Sequence, residues 1–192
     1  MRSATSELVD KLAQLKIVPV IVIDDPGAAV PLARALTEGG LPCAEVTFRT
    51  AGATFIVAPG FNPAVVDHCL EHGIPVCPGV CTPTDIEAAL AKGLTTVKFF
   101  PAEPIGGLKY LKAIAAPYTM MRFVPTGGIN ADNIRSYLAF DRVVAGGGSW
   151  MAPAEWIAAR AFDRIRDETA GAVRAARGDV PSTQAPAGVS RT

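Results

Sequence analysis

The sequence predicts an α/β fold on a parallel sheet, in the barrel form of that fold rather than as an open sheet. Three observations carry this. Short apolar runs rich in β-branched residues alternate with helical patterns along most of the 192 residues, and such runs suit parallel strands buried on both faces. Polar residues of chemical interest collect in or just after those runs, where a (β/α) barrel brings its active-site loops together on one face. No Gly-x-Gly-x-x-Gly follows the first run, so the usual mark of the open, dinucleotide-binding alternative is missing.

Each element has its own signal. Leu8, Leu12 and Leu15 share one face of an opening helix, Leu8 to Leu15. Val18-Pro-Val-Ile-Val-Ile23 reads as the first strand. Asp24-Asp25-Pro26 can cap a helix over Gly27 to Thr37 that stops at Gly39-Gly40. Strands follow at Ala44 to Phe48 and Thr54 to Ala58. A helix from Asn62-Pro63 runs to His72, a strand covers Pro75 to Cys77, and Thr82-Pro83 caps a helix from Thr84 to Lys92. The pattern continues with strand Thr95 to Phe99, helix Gly107 to Ala115, strand Arg122 to Val124 and helix Asn130 to Phe140. The last strand is expected at Arg142 to Ala145, ended by Gly146-Gly147-Gly148-Ser149. A single helix is expected over Ala154 to Ala176, with Trp156, Phe162 and Ile165 facing inward. Residues 1–177 therefore read as one domain. Residues 178–192, rich in Pro, Ser, Thr and Gly, read as a loose tail.

Composition excludes several classes of function. Apolar residues make up 49% and charged residues 19%, which is a globular rather than a disordered balance. Lys plus Arg and Asp plus Glu number 18 each, so no global basic field draws the chain to nucleic acid or an anionic membrane. No apolar run reaches the roughly 20 residues that span a bilayer, and no signal peptide is visible. A cytoplasmic setting with free thiols at Cys43, Cys69, Cys77 and Cys81 follows as an expectation. His68 and His72 share a helix face beside Cys69, but a metal centre needs a third convergent ligand, and none is evident. No metal is expected.

Lys98 is the sharpest residue, set in the apolar strand Val97-Lys98-Phe99. Burial of an unpaired ammonium lowers its pKa and frees the amine for attack on a ketone; the alternative is a strand-end lysine in solvent. Glu45 is the natural proton shuttle for such a lysine, or else the partner in a plain salt bridge. Arg49 can hold a carboxylate in two hydrogen bonds, or pair with Glu45. Thr126-Gly127-Gly128 and Gly147-Gly148-Ser149 end the last two strands. Backbone N–H groups there can receive a phosphate, or the glycines are bare turns.

These residues carry a resemblance. Val18-Pro-Val-Ile-Val-Ile23, Glu45-Val-Thr-Phe-Arg-Thr50, Phe55-Ile-Val-Ala-Pro-Gly60, Pro75-Val-Cys-Pro-Gly79, Val97-Lys-Phe-Phe-Pro-Ala-Glu103, Pro125-Thr-Gly-Gly-Ile129 and Gly147-Gly-Ser-Trp150 resemble, in order, the class I aldolases acting on 2-keto-3-deoxy-6-phosphogluconate (KDPG) and 4-hydroxy-2-oxoglutarate (KHG). The resemblance implies a homotrimer of (β/α)8 TIM-type barrels and a retro-aldol lyase without metal or organic cofactor. Its substrate is a phosphorylated keto-deoxy sugar acid and one product is pyruvate. It implies Lys98 as the Schiff-base lysine, Glu45 as the acid/base and Arg49 as the carboxylate clamp. Phe100 and Thr126 then line the substrate channel, and Gly127, Gly128, Gly148 and Ser149 receive the phosphate.

One departure stands out. In the family, a helix, a strand and a second helix separate the segments that match Arg49-Thr50 and Ala53-Thr54. Here Arg49-Thr50 runs straight through Ala51-Gly52-Ala53 into Thr54. A five-residue strand is about 17 Å long and three linker residues reach about 10 Å, so these segments are not adjacent parallel strands. The expectation is a barrel lacking one strand and two helices at this junction. Two other readings stand beside an active aldolase. One is a sugar-phosphate-binding barrel whose catalysis the missing segment impairs. The other is a phosphate-sugar isomerase or epimerase that uses Glu45 without a Schiff base.

Overall fold

The computed structural model describes residues 4–46 and 55–179. Its strands are β1 (Ile17–Ile21), β2 (Glu45–Val46), β3 (Ile56–Val57), β4 (Val76–Cys77), β5 (Gly79–Val80), β6 (Thr96–Phe99), β7 (Arg122–Pro125) and β8 (Gly146–Gly148). Its helices are α1 (Ala4–Leu15), α2 (Ala29–Glu38), α3 (Pro63–Glu71), α4 (Pro83–Ala91), α5 (Gly107–Ala115), α6 (Ile134–Leu138), α7 (Ala154–Ala158) and α8 (Phe162–Arg177).

Every strand pairing is parallel. β1 lies between β2 and β8, β6 lies between β5 and β7, and β3 pairs with β4. Two parallel bridges, Phe123 to Val143 and Thr126 to Gly147, join β7 to the β8 segment. β4 and β5 flank Pro78 in one extended stretch. The strands therefore form a single arc in the order β3, β4/β5, β6, β7, β8, β1, β2. The α/β class and the parallel sheet are as the sequence predicts. Among the described residues β2 pairs only with β1 and β3 only with β4, so the arc's two ends fall at the junction that the sequence marks as too short.

Helix starts follow local chemistry. Asn62 accepts a hydrogen bond from the Ala64 N–H at 3.0 Å, ahead of Pro63. Thr82 and Asp85 form a reciprocal capping box at α4. Burial pushes the Asp85 carboxyl up, but hydrogen bonds from Cys81 and Thr82 outweigh it and hold the carboxyl below its usual range.

Side chains alternate across the strands. Val76, Val97, Phe99 and Phe123 join an outer cluster with Val66, Ile86, Leu111 and Ile134 from the helices. Val18, Cys77, Val124 and Val144 form an inner cluster that Leu8 and Leu12 of α1 cover. Gly79 faces a close approach: a Cβ there would lie 2.1 Å from the Pro59 carbonyl oxygen. The chain leaving β3 thus lies directly on β5.

Several boundaries differ from expectation, four of them for a visible reason. The strand of Pro75 to Cys77 does not stop at Pro78, because Gly79 and Val80 continue it and pair with Lys98 and Phe99. The last strand sits on Gly146–Gly148 rather than Arg142 to Ala145; Val143 makes only an isolated bridge. Ladder pairing needs only backbone, and neighbouring side chains fill the space that Cβ atoms would take on those glycines. α6 is shorter because Asn130 and Asn133 side chains hold the preceding loop, with the Asn130 Oδ1 accepting from the Asp132 and Asn133 N–H groups. The expected helix Ala154 to Ala176 is two helices. Arg160 turns left-handed (φ 54°) between them and its guanidinium pairs with Asp25 at 2.7 Å. Ile165 is fully buried, with Trp156 and Phe162 packed partly buried against the same cluster.

Candidate active site

Lys98 stands in the middle of β6, in register with Gly79 on one side and Val124 on the other. Only 4% of it is exposed, which removes the solvent-facing alternative. Glu45 opens β2. The Lys98 Nζ donates to the Glu45 Oε1 at 2.7 Å. The buried ammonium is therefore paired, not alone as the sequence suggests, and the salt bridge expected as one reading of Glu45 is made with Lys98.

That contact has a consequence for the sheet. Along the arc, β7, β8 and β1 lie between β6 and β2. Four steps at about 4.8 Å would put the two strands about 19 Å apart on a flat sheet, beyond the reach of a lysine and a glutamate together. The arc must curl so that β2 faces β6 across an interior, and the pair spans that interior.

The surroundings are dry on one side. The Phe100 ring centroid is 5.2 Å from the Lys98 Nζ, a cation–π distance. The Cys77 thiol is pushed up to about 12, first by burial and next by the charge of Glu45, with the Lys98 charge acting the other way. Cys77 is buried in the inner cluster with Val18, Val124 and Val144, within reach of both charges. Sequence reasoning gave Cys77 no place at the site, reading it only as a free thiol. Among the described residues no group of three His, Cys, Asp or Glu is placed to hold a metal ion. The His68 and His72 rings instead lie 4.2 Å apart with the His72 Nδ1 2.8 Å from the His68 carbonyl oxygen.

The glycine segments separate into two kinds. Gly127 and Gly128 form a turn after β7 with φ of 89° and 85°, conformations that leave backbone N–H groups free to face a ligand. The Phe100 ring and Pro101 pack against Gly127. Gly148 is instead a buried strand residue beneath the Trp150 ring, and Ser149 is the first exposed residue beyond it. Thr126 is buried, and its hydroxyl has no hydrogen-bond partner among the described residues. Arg49 lies outside the described residues. A cavity of about 690 Å³ lies elsewhere, between α1 and Pro42, Cys43, Phe55 and Pro75.

A buried lysine paired with a carboxylate inside a curled parallel sheet, with glycine turns at the strand ends, defines the class: an α/β protein with an interior lysine–carboxylate site. Comparison with known proteins narrows it. The sequence pattern of the aldolase family "KDPG and KHG aldolase" matches residues 8–53 and 49–167, and the chain belongs to that family. It is 44% identical over 191 residues to the 2-dehydro-3-deoxy-phosphogluconate aldolase of Treponema pallidum (strain Nichols), covering 81% of this chain and 91% of that protein. It is 37% identical to the KHG/KDPG aldolase of Escherichia coli K12, covering 84% and 92%. It superposes with a TM-score of 0.79 and 30% identity on the KDPG aldolase of Legionella pneumophila, crystallised with pyruvate captured at low pH as a covalent carbinolamine intermediate, covering 85% and 97%.

The two family matches meet at residues 49–53. The Treponema alignment, 191 residues long, is also longer than 81% of a 192-residue chain. Part of that relative therefore faces a gap here.

Proposed function

We propose that this chain is a class I aldolase that cleaves 2-keto-3-deoxy-6-phosphogluconate to pyruvate and glyceraldehyde 3-phosphate, with 4-hydroxy-2-oxoglutarate as a second substrate. The observation that carries this reading is the 2.7 Å contact between Lys98 and Glu45 inside the arc. Glu45 takes a proton from the Lys98 ammonium, and the free amine adds to the C2 carbonyl. Glu45 then protonates the carbinolamine hydroxyl, which leaves as water. The protonated imine draws electrons from the C3–C4 bond. Removal of the C4 hydroxyl proton by Glu45 breaks that bond and releases glyceraldehyde 3-phosphate. The remaining enamine is protonated at C3, and hydrolysis frees pyruvate and Lys98. The pyruvate carbinolamine captured in the Legionella relative supports the carbinolamine step.

The other assignments fit around this pair. Arg49 holds the pyruvate carboxylate. Gly127, Gly128, Gly148 and Ser149 receive the phosphate, and the unpartnered Thr126 hydroxyl with Phe100 lines the channel to it. The protein works in the cytoplasm as a homotrimer of (β/α)8-type barrels within the Entner–Doudoroff route of sugar-acid breakdown. Among the described residues, no helix is long and apolar enough to cross a membrane.

A second reading has its own support. The family matches that meet at 49–53, and the arc's two ends at β2 and β3, favour a segment of one strand and two helices absent at Thr50 to Ala53. Such a chain binds sugar phosphate with reduced turnover. Incubation with pyruvate and borohydride, followed by mass spectrometry, separates the readings. A reduced adduct on Lys98, lost in Lys98→Ala, is expected. A folded protein that binds phosphate but forms no adduct would sink the aldolase reading in favour of the second.

A further inference from the structure

Outside the Lys98–Glu45 pair, the loop after β6 carries a side-chain contact that the reaction does not use. The Tyr137 hydroxyl of α6 donates to the Glu103 Oε1. Tyr137 is only 1% exposed. Burial first, and then the hydrogen bond to Glu103, push its phenol up from the ordinary value, so it stays a donor.

Four further contacts hold the glycine turn beside this pair. The Ala102 N–H donates to the Thr126 carbonyl at 2.8 Å, and the Glu103 N–H donates to the Gly127 carbonyl at 3.0 Å. The Glu103 stem lies directly beneath Gly128, where a Cβ would come within 2.6 Å of the Glu103 Cβ. From the far side the Asn133 amide donates to the Gly128 carbonyl at 2.9 Å. The Gly127–Gly128 turn is thus clamped between the loop after β6 and the start of α6. The Glu103 carboxylate is turned away from the turn, toward Tyr137 and Gly107 at the start of α5. This direction keeps its negative charge off an incoming anion and places it at a helix N-terminus, where it is favoured.

We propose that Glu103 and Tyr137 are positioning residues for phosphate: their hydrogen bond fixes the backbone of the Gly127–Gly128 turn and aims the carboxylate away from it. The inference rests on the reading of that turn as the phosphate site. It predicts a split between the two ends of the substrate. Backbone donors displaced by a fraction of an ångström lose anion affinity, while the imine chemistry at Lys98 does not depend on this clamp.

The test uses Tyr137→Phe, which removes one oxygen and keeps the ring's packing, and Glu103→Gln, which keeps an acceptor for the Tyr137 hydroxyl. Inorganic phosphate binding is followed by NMR titration, and pyruvate trapping on Lys98 by borohydride. For Tyr137→Phe, phosphate affinity and the KM for the phosphorylated substrate should each worsen about fivefold or more, with the pyruvate trapping rate within about twofold of the parent. Glu103→Gln, whose amide oxygen still accepts from the Tyr137 hydroxyl, should lose less phosphate affinity than Tyr137→Phe; a loss as large overturns that hydrogen bond as the contact that fixes the turn.

Unchanged phosphate affinity in Tyr137→Phe overturns the proposal, as does an equal loss of phosphate binding and pyruvate trapping, which marks a merely structural contact. A parent that binds phosphate but never traps pyruvate defeats the aldolase reading and leaves the phosphate comparison standing. A parent that traps pyruvate but binds no phosphate defeats this proposal alone.

Discussion

The two residues at the centre of the site stand in unlike halves of the sheet. Lys98 lies in β6, four residues long, buried throughout and hydrogen-bonded on both sides. Glu45 lies in β2, two residues long, with Val46 39% exposed and a described partner on one side only. Ladder bonds on both sides over-determine the position of Lys98. Glu45 is positioned by half a ladder and by its contact with Lys98. In the proposed mechanism Lys98 is the nucleophile and Glu45 the proton shuttle, and these two roles tolerate different scaffolds. The lysine must present one nitrogen along one line of attack. The carboxylate serves successive proton transfers at different atoms, and some give in its strand is compatible with that work.

The comparison can be broken at its softer side first. Glu45→Gln keeps the shape and a hydrogen-bond acceptor but no longer takes the proton. Pyruvate release in steady state should fall by roughly 10²–10⁴-fold, with the melting temperature little changed; an activity within tenfold of the parent would remove Glu45 from the chemistry.

At the join between the halves, Gly79→Ala drives a Cβ into the Pro59 backbone, with contacts of 2.1 Å to its oxygen and 2.3 Å to its carbonyl carbon. Neither partner is a side-chain tip that can swing aside. A loss of about 3 kcal/mol is expected, read as a lower urea midpoint with an unchanged slope.

The smallest effect concerns the thiols near the pair and the β2 edge. Cys77 and Cys43 are raised by burial to about 12 and about 11 from 9.0. Both groups hold their protons in the folded state at pH values where the unfolded chain releases them. Their contribution is therefore complete below pH 9 and is lost as pH rises toward the folded values. Urea stability should fall by roughly 1 kcal/mol per pH unit for each thiol in that window, and Cys77→Val should flatten the slope.

Most of the fold is readable in the chain because the strands are buried on both faces and helix signals stand between them. α5 is found with both ends as expected, and Lys98 is conspicuous because an ammonium interrupts an apolar run. The misplacements share a cause. Gly146–Gly148 carries no hydrophobic signal, since its partners use only its backbone, while Val143 and Val144 carry a strong one and pair little. Arg160 breaks a helix through a contact with Asp25, 135 residues away, which no local pattern reveals. The Lys98–Glu45 contact joins residues 53 apart; each is visible alone, but their meeting depends on the curl of the arc. Glu103 and Tyr137 were invisible as a pair for the same reason. Arg49 lies outside the described residues, so its assignment rests on the resemblance.

The all-glycine strand β8 also constrains the gene. A Cβ at Gly146 would lie 2.4 Å from Ile134, at Gly147 2.5 Å from Thr126, and at Gly148 2.0 Å from Trp150. At Gly146 and Gly147 the offended atoms are side-chain tips, which can turn aside for one small carbon. At Gly148 the Ile129 carbonyl oxygen also stands 2.8 Å away and cannot move, so alanine offends there as aspartate does. In the Gly148 codon the first two bases should be held while the third drifts freely, a silent-change signature that tells a strand position made of backbone from one made of side chains.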